Sequence, residues 1–163
     1  GAGGQELRRR VRHFHMALSD FDGHGTLQLH ATSSAGHRLR PPGALAAGNS
    51  TADVEVATLD SLLVDRRAEE VPEAWVRDVC FVKLDLEGGD FRALRGAGRL
   101  LSGAAAAGRA VSISFEFVPS DLREAEGPDA PLALLRWLSA RNFSLASGDR
   151  HRVPPGGLWP PRR

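Results

Sequence analysis

The chain has 163 residues, enough for one domain with a buried core, and its 21 basic and 20 acidic side chains leave a formal charge of +1. This balance excludes the strong net charge that would indicate a nucleic acid or an anionic membrane as partner. The sequence has no hydrophobic signal segment and no run of about 18 apolar residues, so no membrane span is predicted and a cytoplasmic location is the default expectation.

The N-terminal half of the sequence predicts short strands separated by turns. Residues 11–18 and 25–31 alternate between two types of side chain, which predicts two antiparallel strands joined by a turn at 19–23. Residues 32–51 are rich in Ser, Gly, Pro and Ala and are expected to form a long exposed loop. A third strand is predicted at 53–57, with Thr58 as the N-cap of the helical segment that follows. Within the charged residues 65–78, one short helix is expected near 73–77.

Residues 79–90 are the stretch around which the rest of the sequence is organised. An apolar strand is predicted at 79–86, and Gly88-Gly89 then permits a tight turn into a helix that begins near Asp90. Because side chains two apart share a strand face, one face carries Phe81, Lys83, Asp85 and Glu87, and the other carries Val82, Leu84 and Leu86. The only cysteine, Cys80, is expected to be a small buried hydrophobe in this strand.

The C-terminal half predicts alternating helices and strands. Apolar side chains at helical spacing extend the helix after the 79–86 strand, namely Phe91, Leu94, Ala97 and Leu101. A loop is expected at 103–109, a strand at 111–117, a helix at 131–140 and a final strand at 143–146. Because strands and helices alternate from Val79 onward, the pattern implies parallel pairing with right-handed crossovers, and therefore an α/β sheet.

The charges at the end of the 79–86 strand indicate a functional site. Ligands of open α/β sheets bind outside the carboxyl ends of the strands, where a charged side chain can reach a cleft. Asp85 and Glu87 are therefore candidates for binding an acceptor or removing its proton, with Lys83 orienting Asp85 through a charge-assisted hydrogen bond. A structural alternative stays open, in which Lys83 and Asp85 form an ion pair and Glu87 caps the next turn. Asp85 and Glu87 could instead hold a divalent cation in a metal-dependent transferase or hydrolase.

Four pieces of the chain, taken in order, resemble the FkbM-type methyltransferases, which use S-adenosylmethionine. The most recognisable piece is the Lys-x-Asp-x-Glu-Gly run within 81–88, continued by Phe91, Leu94, Arg95 and Gly96-Ala97. The other pieces are Ala17 to Asp20 with Asp22-Gly23 and the strand after it, the Thr58-Leu59-Asp60 element within 56–62, and the strand at 113–116 that ends in Glu116. Together they span residues 11–117, about two thirds of the chain.

The resemblance implies a Rossmann-like class I methyltransferase sheet with helices on both faces. Members of the family begin with a strand and a glycine-rich loop that approaches the cofactor, whereas Gly1-Ala2-Gly3-Gly4 has no strand before it. We therefore expect residues 1–150 to be a partial domain that lacks the N-terminal strands, and residues 151–163 to be a proline-rich tail. The first strand of such a sheet lies beside the central one, so the 79–86 strand is expected to have a bare edge and the chain to be prone to aggregation.

The function that the resemblance implies is S-adenosylmethionine-dependent O-methylation of a hydroxyl on a sugar or related metabolite. The partner is then a small-molecule or glycan acceptor, with no nucleic acid and no metal. Asp85, Glu87 and Lys83 are the candidate catalytic residues, and the resemblance puts Ser19 and Asp20 near the adenine of the cofactor. From their residue types alone, Ser19-Asp20 equally fit a simple Asx-type turn. The different-class alternative is a non-catalytic remnant or interaction module.

Overall fold

The computed structural model of the protein describes residues 11–29, 37–40, 50–65 and 71–146. The predicted proline-rich tail and the first ten residues lie outside this range. The described ranges contain six strands: β1 (Ala17–Leu18), β2 (Gly23–Gln28), β3 (Arg38–Arg40), β4 (Thr51–Ala57), β5 (Phe81–Lys83) and β6 (Ser112–Ser114). The helices are α1 (Glu73–Arg77), α2 (Asp90–Arg95), α3 (Gly98–Ala106), α4 (Pro119–Glu126) and α5 (Ala130–Ser139), and a single π-helical turn spans Asp60–Val64.

The first sheet contains four strands in the order β1-β4-β2-β3. β1 runs parallel to β4, and β2 runs antiparallel to both β4 and β3. The prediction that the first two strands pair with each other is therefore wrong, because β4 lies between them. The predicted loop at 32–51 is also wrong at 38–40, which form β3. β3 forms through its antiparallel pairing with β2. Its Arg38 and Arg40 also reach Glu124 of α4, with 2.6 Å between Arg38 and Glu124.

The second sheet pairs β5 with β6 in parallel, with Val82 opposite Ile113. The two predicted faces of β5 are present, because Val82 and Leu84 contact the core while Phe81 and Lys83 are exposed. The regular strand is shorter than predicted and ends at Lys83. The mixed α/β class is thus confirmed, with the described strands arranged in two sheets.

Cys80 is exposed, so the prediction that it is a buried hydrophobe is wrong. It precedes the first residue of β5, where the backbone carbonyl of Cys80 accepts a hydrogen bond from the Ser112 N–H at 2.9 Å. The neighbouring Phe81 is also exposed, at 59%. Within the part of the chain that the structure describes, the Cys80 thiol is therefore exposed to solvent.

The main core lies between the second sheet and four helices, and its fully buried side chains include Leu94, Leu122, Leu134 and Leu138. The predicted helix after β5 is confirmed but is divided into α2 and α3 at Gly96-Ala97. The predicted loop at 103–109 is wrong over its first residues, since α3 continues to Ala106. The predicted helix at 131–140 corresponds to α5. No strand forms at 143–146; Leu145 makes only an isolated bridge and packs against this core.

A smaller apolar cluster lies under the N-terminal segment. Leu62 and Val71 are buried there, and Phe14 and Met16 pack against them. The predicted strand at 11–18 is therefore reduced to Ala17–Leu18, because its earlier apolar side chains contact the 60–64 turn instead of extending the sheet. The helix predicted near 73–77 is confirmed as α1. Within the described ranges, no helix has the length and apolar character that crossing a bilayer requires.

Candidate functional site

The carboxyl end of β5 carries the predicted pair of Lys83 and Asp85. Lys83 Nζ lies 2.6 Å from Asp85 Oδ2, so the ion pair predicted from the sequence is present. Both side chains are 62% exposed. An ion pair this accessible to water adds little to the free energy of unfolding, and its two side chains remain available to a ligand.

Glu87 occupies an unusual backbone position immediately after this pair. Glu87 and Gly88 both have positive φ, 51° and 93°, and the Gly89 N–H donates to the Leu86 carbonyl at 2.9 Å. Two positive φ values inside such a hydrogen-bonded turn define type I′, which favours Gly, Asn or Asp over Glu. Gly88 has no substitute, because a Cβ there would lie 2.9 Å from the Asp121 carbonyl oxygen of α4. The turn is thus pressed against α4 and carries a side chain that its backbone does not favour.

Asp90, the first residue of α2, is completely buried. Among the described residues, neither oxygen of its carboxyl has a partner with hydrogen-bond geometry. Burial raises the pKa of Asp90, and the backbone amides of Asp90, Leu86 and Gly88 offset part of that rise. The burial of the Asp90 carboxyl therefore destabilises the fold, which the sequence alone did not indicate.

Ser19 and Asp20 lie at the carboxyl end of β1, in a tightly fixed segment. Ser19 is completely buried, and its N–H donates to the Ala57 carbonyl at 3.1 Å. A Cβ at Gly96 would collide with the Ser19 carbonyl oxygen, so the junction between α2 and α3 approaches this segment as closely as glycine allows. The two predicted cofactor contacts are thereby positioned by β4 and by the α2–α3 junction.

Arg95, at the end of α2, holds the Asp20 carboxylate. Its Nε and Nη2 lie 2.9 and 2.7 Å from Asp20 Oδ2. The same Nη2 is 2.7 Å from Oε2 of Glu126, the last residue of α4. The guanidinium also lies over the Phe91 ring, 4.4 Å from its centroid. Burial alone would lower the pKa of Arg95, but the two carboxylates more than reverse this and keep it charged.

Two further aspartates near this segment have structural roles. Asp22 Oδ1 accepts a hydrogen bond from the Thr58 N–H at 3.0 Å, which joins the β1–β2 connection to the end of β4. Thr58 in turn accepts a bond from the Ser61 N–H at 2.9 Å, which confirms its predicted capping role. Asp60 accepts bonds from the backbone N–H groups of Arg99 and Leu100, each at 2.8 Å, and so caps α3 from a distant part of the chain.

Sequence reasoning missed the roles of Asp60, Arg95 and Glu126. The first two belong to stretches that resemble the family, Thr58-Leu59-Asp60 and Leu94-Arg95-Gly96, so the sequence marked the positions without indicating their contacts. Glu126 was missed because α4 was not predicted.

The two predicted groups lie at opposite ends of one short helix. The turn that carries Glu87 leads directly into α2, and Arg95 at the other end of α2 holds Asp20. A helix of six residues spans about 9 Å, roughly the size of a small ligand. In the described ranges, no group of three or more His, Cys, Asp and Glu side chains is arranged to hold a metal ion. The arrangement therefore offers acceptor oxygens at both ends of α2 and one exposed ammonium beside Asp85.

These features define a mixed α/β protein with charged groups at the carboxyl ends of β1 and β5. A family model described as the Methyltransferase FkbM domain matches residues 5–145, which is most of the chain. The chain belongs to this family. A search of curated proteins and a search of solved structures found no match to it.

Proposed function

We propose that this chain is an S-adenosylmethionine-dependent methyltransferase that methylates a hydroxyl of a sugar or related metabolite. Membership of the FkbM family supports the reaction class. The observation that carries the proposal is the position of Glu87, an acidic residue kept at positive φ in a type I′ turn at the end of β5. Backbone strain of this kind is found mainly where function requires it.

Methyl transfer to a hydroxyl requires an oriented acceptor and a group that takes its proton. In our proposal, Glu87 and Asp85 bind the acceptor hydroxyl, and Glu87 accepts its proton. Lys83 orients Asp85 through their 2.6 Å contact. When bound, S-adenosylmethionine supplies an activated methyl group on a positively charged sulfur.

The residues at the β1 end fit the nucleoside part of that cofactor. Its adenine amine and ribose hydroxyls are hydrogen-bond donors, and this end of the site presents acceptors. Asp20 Oδ1 receives only a long hydrogen bond, 3.3 Å, from Ser19 Oγ within the described ranges. Oε1 of Glu126 is buried and has no partner there. Ser19 and Asp20 are accordingly the proposed contacts of the nucleoside.

Isothermal titration calorimetry with S-adenosylmethionine on this chain tests the cofactor, and methylation of a panel of sugars and glycans tests the reaction. The decisive variant is Glu87→Asn, because it gives the turn an Asn-Gly sequence, which type I′ turns favour. We expect its melting temperature to be equal or higher and its methylation rate to fall by about 100-fold or more, as for loss of a proton acceptor.

Asp85→Asn has a matched control in Asp78→Asn, because Asp78 is also an exposed acid in an ion pair, with Arg77 at 3.0 Å. Asp85→Asn should reduce methylation, and Asp78→Asn should leave it unchanged. A Glu87→Asn variant that loses stability but keeps its activity would show that Glu87 serves the turn and not the reaction.

A second candidate is a non-catalytic interaction module of the same family. Its supporting observation is the 62% exposure of Lys83 and Asp85, since proton-transfer groups usually lie in sites that exclude water. This candidate predicts no heat on titration with S-adenosylmethionine. A metal-dependent enzyme that uses Asp85 and Glu87 predicts instead that a divalent ion raises the melting temperature.

A further inference from the structure

Asp20, Arg95 and Glu126 form an ionic cluster that the proposed chemistry at Asp85 and Glu87 does not use. We call these three residues the Arg95 cluster. One nitrogen, Arg95 Nη2, lies 2.7 Å from a carboxylate oxygen of each acid, so two carboxylates share one guanidinium. With the Phe91 ring against the guanidinium, Arg95 is fixed by contacts on three sides. The cluster joins the end of β1 to the ends of α2 and α4.

Glu126 occupies an energetically unfavourable position within this cluster. Its side chain is only 6% exposed, and its Oε1 has no hydrogen-bond partner among the described residues. It is also the last residue of α4, where the helix dipole disfavours a negative charge. An acid with these three costs, compensated mainly by one ion pair with Arg95, indicates a role beyond stabilising the fold.

A second contact joins helices α2 and α4 independently of the Arg95 cluster. Arg92, one turn earlier on α2, donates from Nη2 to the Ala125 carbonyl of α4 at 3.1 Å. Arg92 therefore already connects the same helices without contacting Asp20. What Arg95 adds is control of the Asp20 carboxylate, whose Oδ2 accepts from both Nε and Nη2.

We infer that Arg95 and Glu126 are positioning residues that fix the Asp20 carboxylate for recognition of the adenine amine of the cofactor. Because Arg95 occupies Oδ2, the carboxylate is held in one orientation and Oδ1 remains to accept from a ligand donor. Glu126 holds the guanidinium in turn and prevents Arg95 from following Asp20. This inference rests on the proposed function, since it takes an adenine nucleoside as the ligand at the end of β1.

The test is the preference of the protein for S-adenosylhomocysteine over S-inosylhomocysteine, in which a carbonyl oxygen replaces the adenine amine. Dissociation constants for both probes are measured by calorimetry on the wild-type chain and on Arg95→Met, Arg95→Lys, Glu126→Gln and Arg92→Met. Loss of one hydrogen bond to a charged group corresponds to about tenfold in affinity or more. We expect the wild type to prefer the adenosyl probe by about tenfold, and Arg95→Met to bind both probes almost equally.

Arg92→Met is the matched control and should keep the wild-type preference. Arg95→Lys and Glu126→Gln should retain part of it, and they extend the test to milder changes if Arg95→Met does not fold. Equal preferences in Arg95→Lys, Glu126→Gln and the wild type would overturn the positioning role and leave the proposed function standing. A wild type that binds both probes equally would also overturn it. If the wild type binds neither probe, the proposed function fails, and the positioning role fails with it.

Discussion

Asp60 provides a direct test of how the 60–64 turn is joined to helix α3. Its carboxylate accepts from the N–H groups of Arg99 and Leu100, the second and third residues of α3, at 2.8 Å each. Asn at this position keeps one acceptor oxygen and replaces the other with an amide that repels the second N–H. Because a hydrogen bond to a charged group contributes about 1.5–3 kcal/mol, Asp60→Asn should lower the free energy of unfolding by about 2 kcal/mol. For a domain of this size the melting temperature should then fall by roughly 4–8 °C.

The matched control for Asp60→Asn is Asp65→Asn. Asp65 pairs with the same Arg99 side chain, with 2.7 Å between Arg99 Nη1 and Asp65 Oδ1, but its carboxylate is exposed and does not cap α3. Its loss should change the melting temperature very little. Urea denaturation followed by far-ultraviolet circular dichroism gives both values. If the two variants are destabilised equally, Asp60 contributes only through Arg99, and its capping of α3 has no energetic weight.

Three further perturbations test other parts of the structure. Asp90→Asn should stabilise the protein at pH 7, because the wild type pays a penalty while its buried carboxyl is ionised. The gain in the free energy of unfolding should shrink as the pH falls through the raised pKa of Asp90 and vanish below about pH 4. A gain that does not change in urea titrations from pH 3 to 8 would contradict this. Gly96→Ala should lower the melting temperature by several degrees, because its Cβ would meet the Ser19 carbonyl. Gly103→Ala has open space around it in α3 and should raise the free energy of unfolding by about 0.5–1 kcal/mol. If Gly96→Ala is the more stable of the two variants, the close approach at Gly96 is refuted. Phe81→Thr should slow aggregation, measured by light scattering, without lowering the melting temperature, because 59% of Phe81 on β5 is exposed. Unchanged aggregation would show that another surface is responsible.

Local patterns were sufficient wherever a few consecutive residues determine the structure. The alternation in the 79–86 stretch predicted that Val82 and Leu84 face the core while Lys83 and Asp85 do not. Helical spacing predicted the buried side of α5, on which Leu134 and Leu138 are almost fully buried. In each case the face on which a side chain lies follows from its position within one helix or one strand, and local spacing is therefore sufficient to predict it.

The features that were missed depend on contacts between distant parts of the chain. The order β1-β4-β2-β3 separates strands that follow each other in sequence, and β3 makes ion pairs with α4 across as many as 86 residues of chain. Helix α4 buries essentially one large side chain, Leu122, so hydrophobic periodicity could not reveal it. Pro119 followed by Ser and Asp was a usable signal for its start. Within the candidate site, the Lys83–Asp85 pair was predictable because its residues are neighbours, whereas Asp20 and Arg95 are 75 residues apart.

The acidic residues around α2 differ in how completely their carboxylate oxygens are hydrogen-bonded. Asp60 is buried, and each of its oxygens accepts a hydrogen bond from a backbone N–H, so both oxygens stabilise the fold. Asp90 is completely buried and the Glu126 side chain is 6% exposed, and both retain oxygens without partners in the described ranges. A buried carboxylate oxygen without a hydrogen-bond partner costs free energy, even where the other oxygen is ion-paired, as in Glu126 with Arg95. Glu126 lies beside Arg95 and Asp90 follows the Glu87 turn, so the two acids lie near the two ends of α2 to which the proposed function assigns the cofactor and the acceptor.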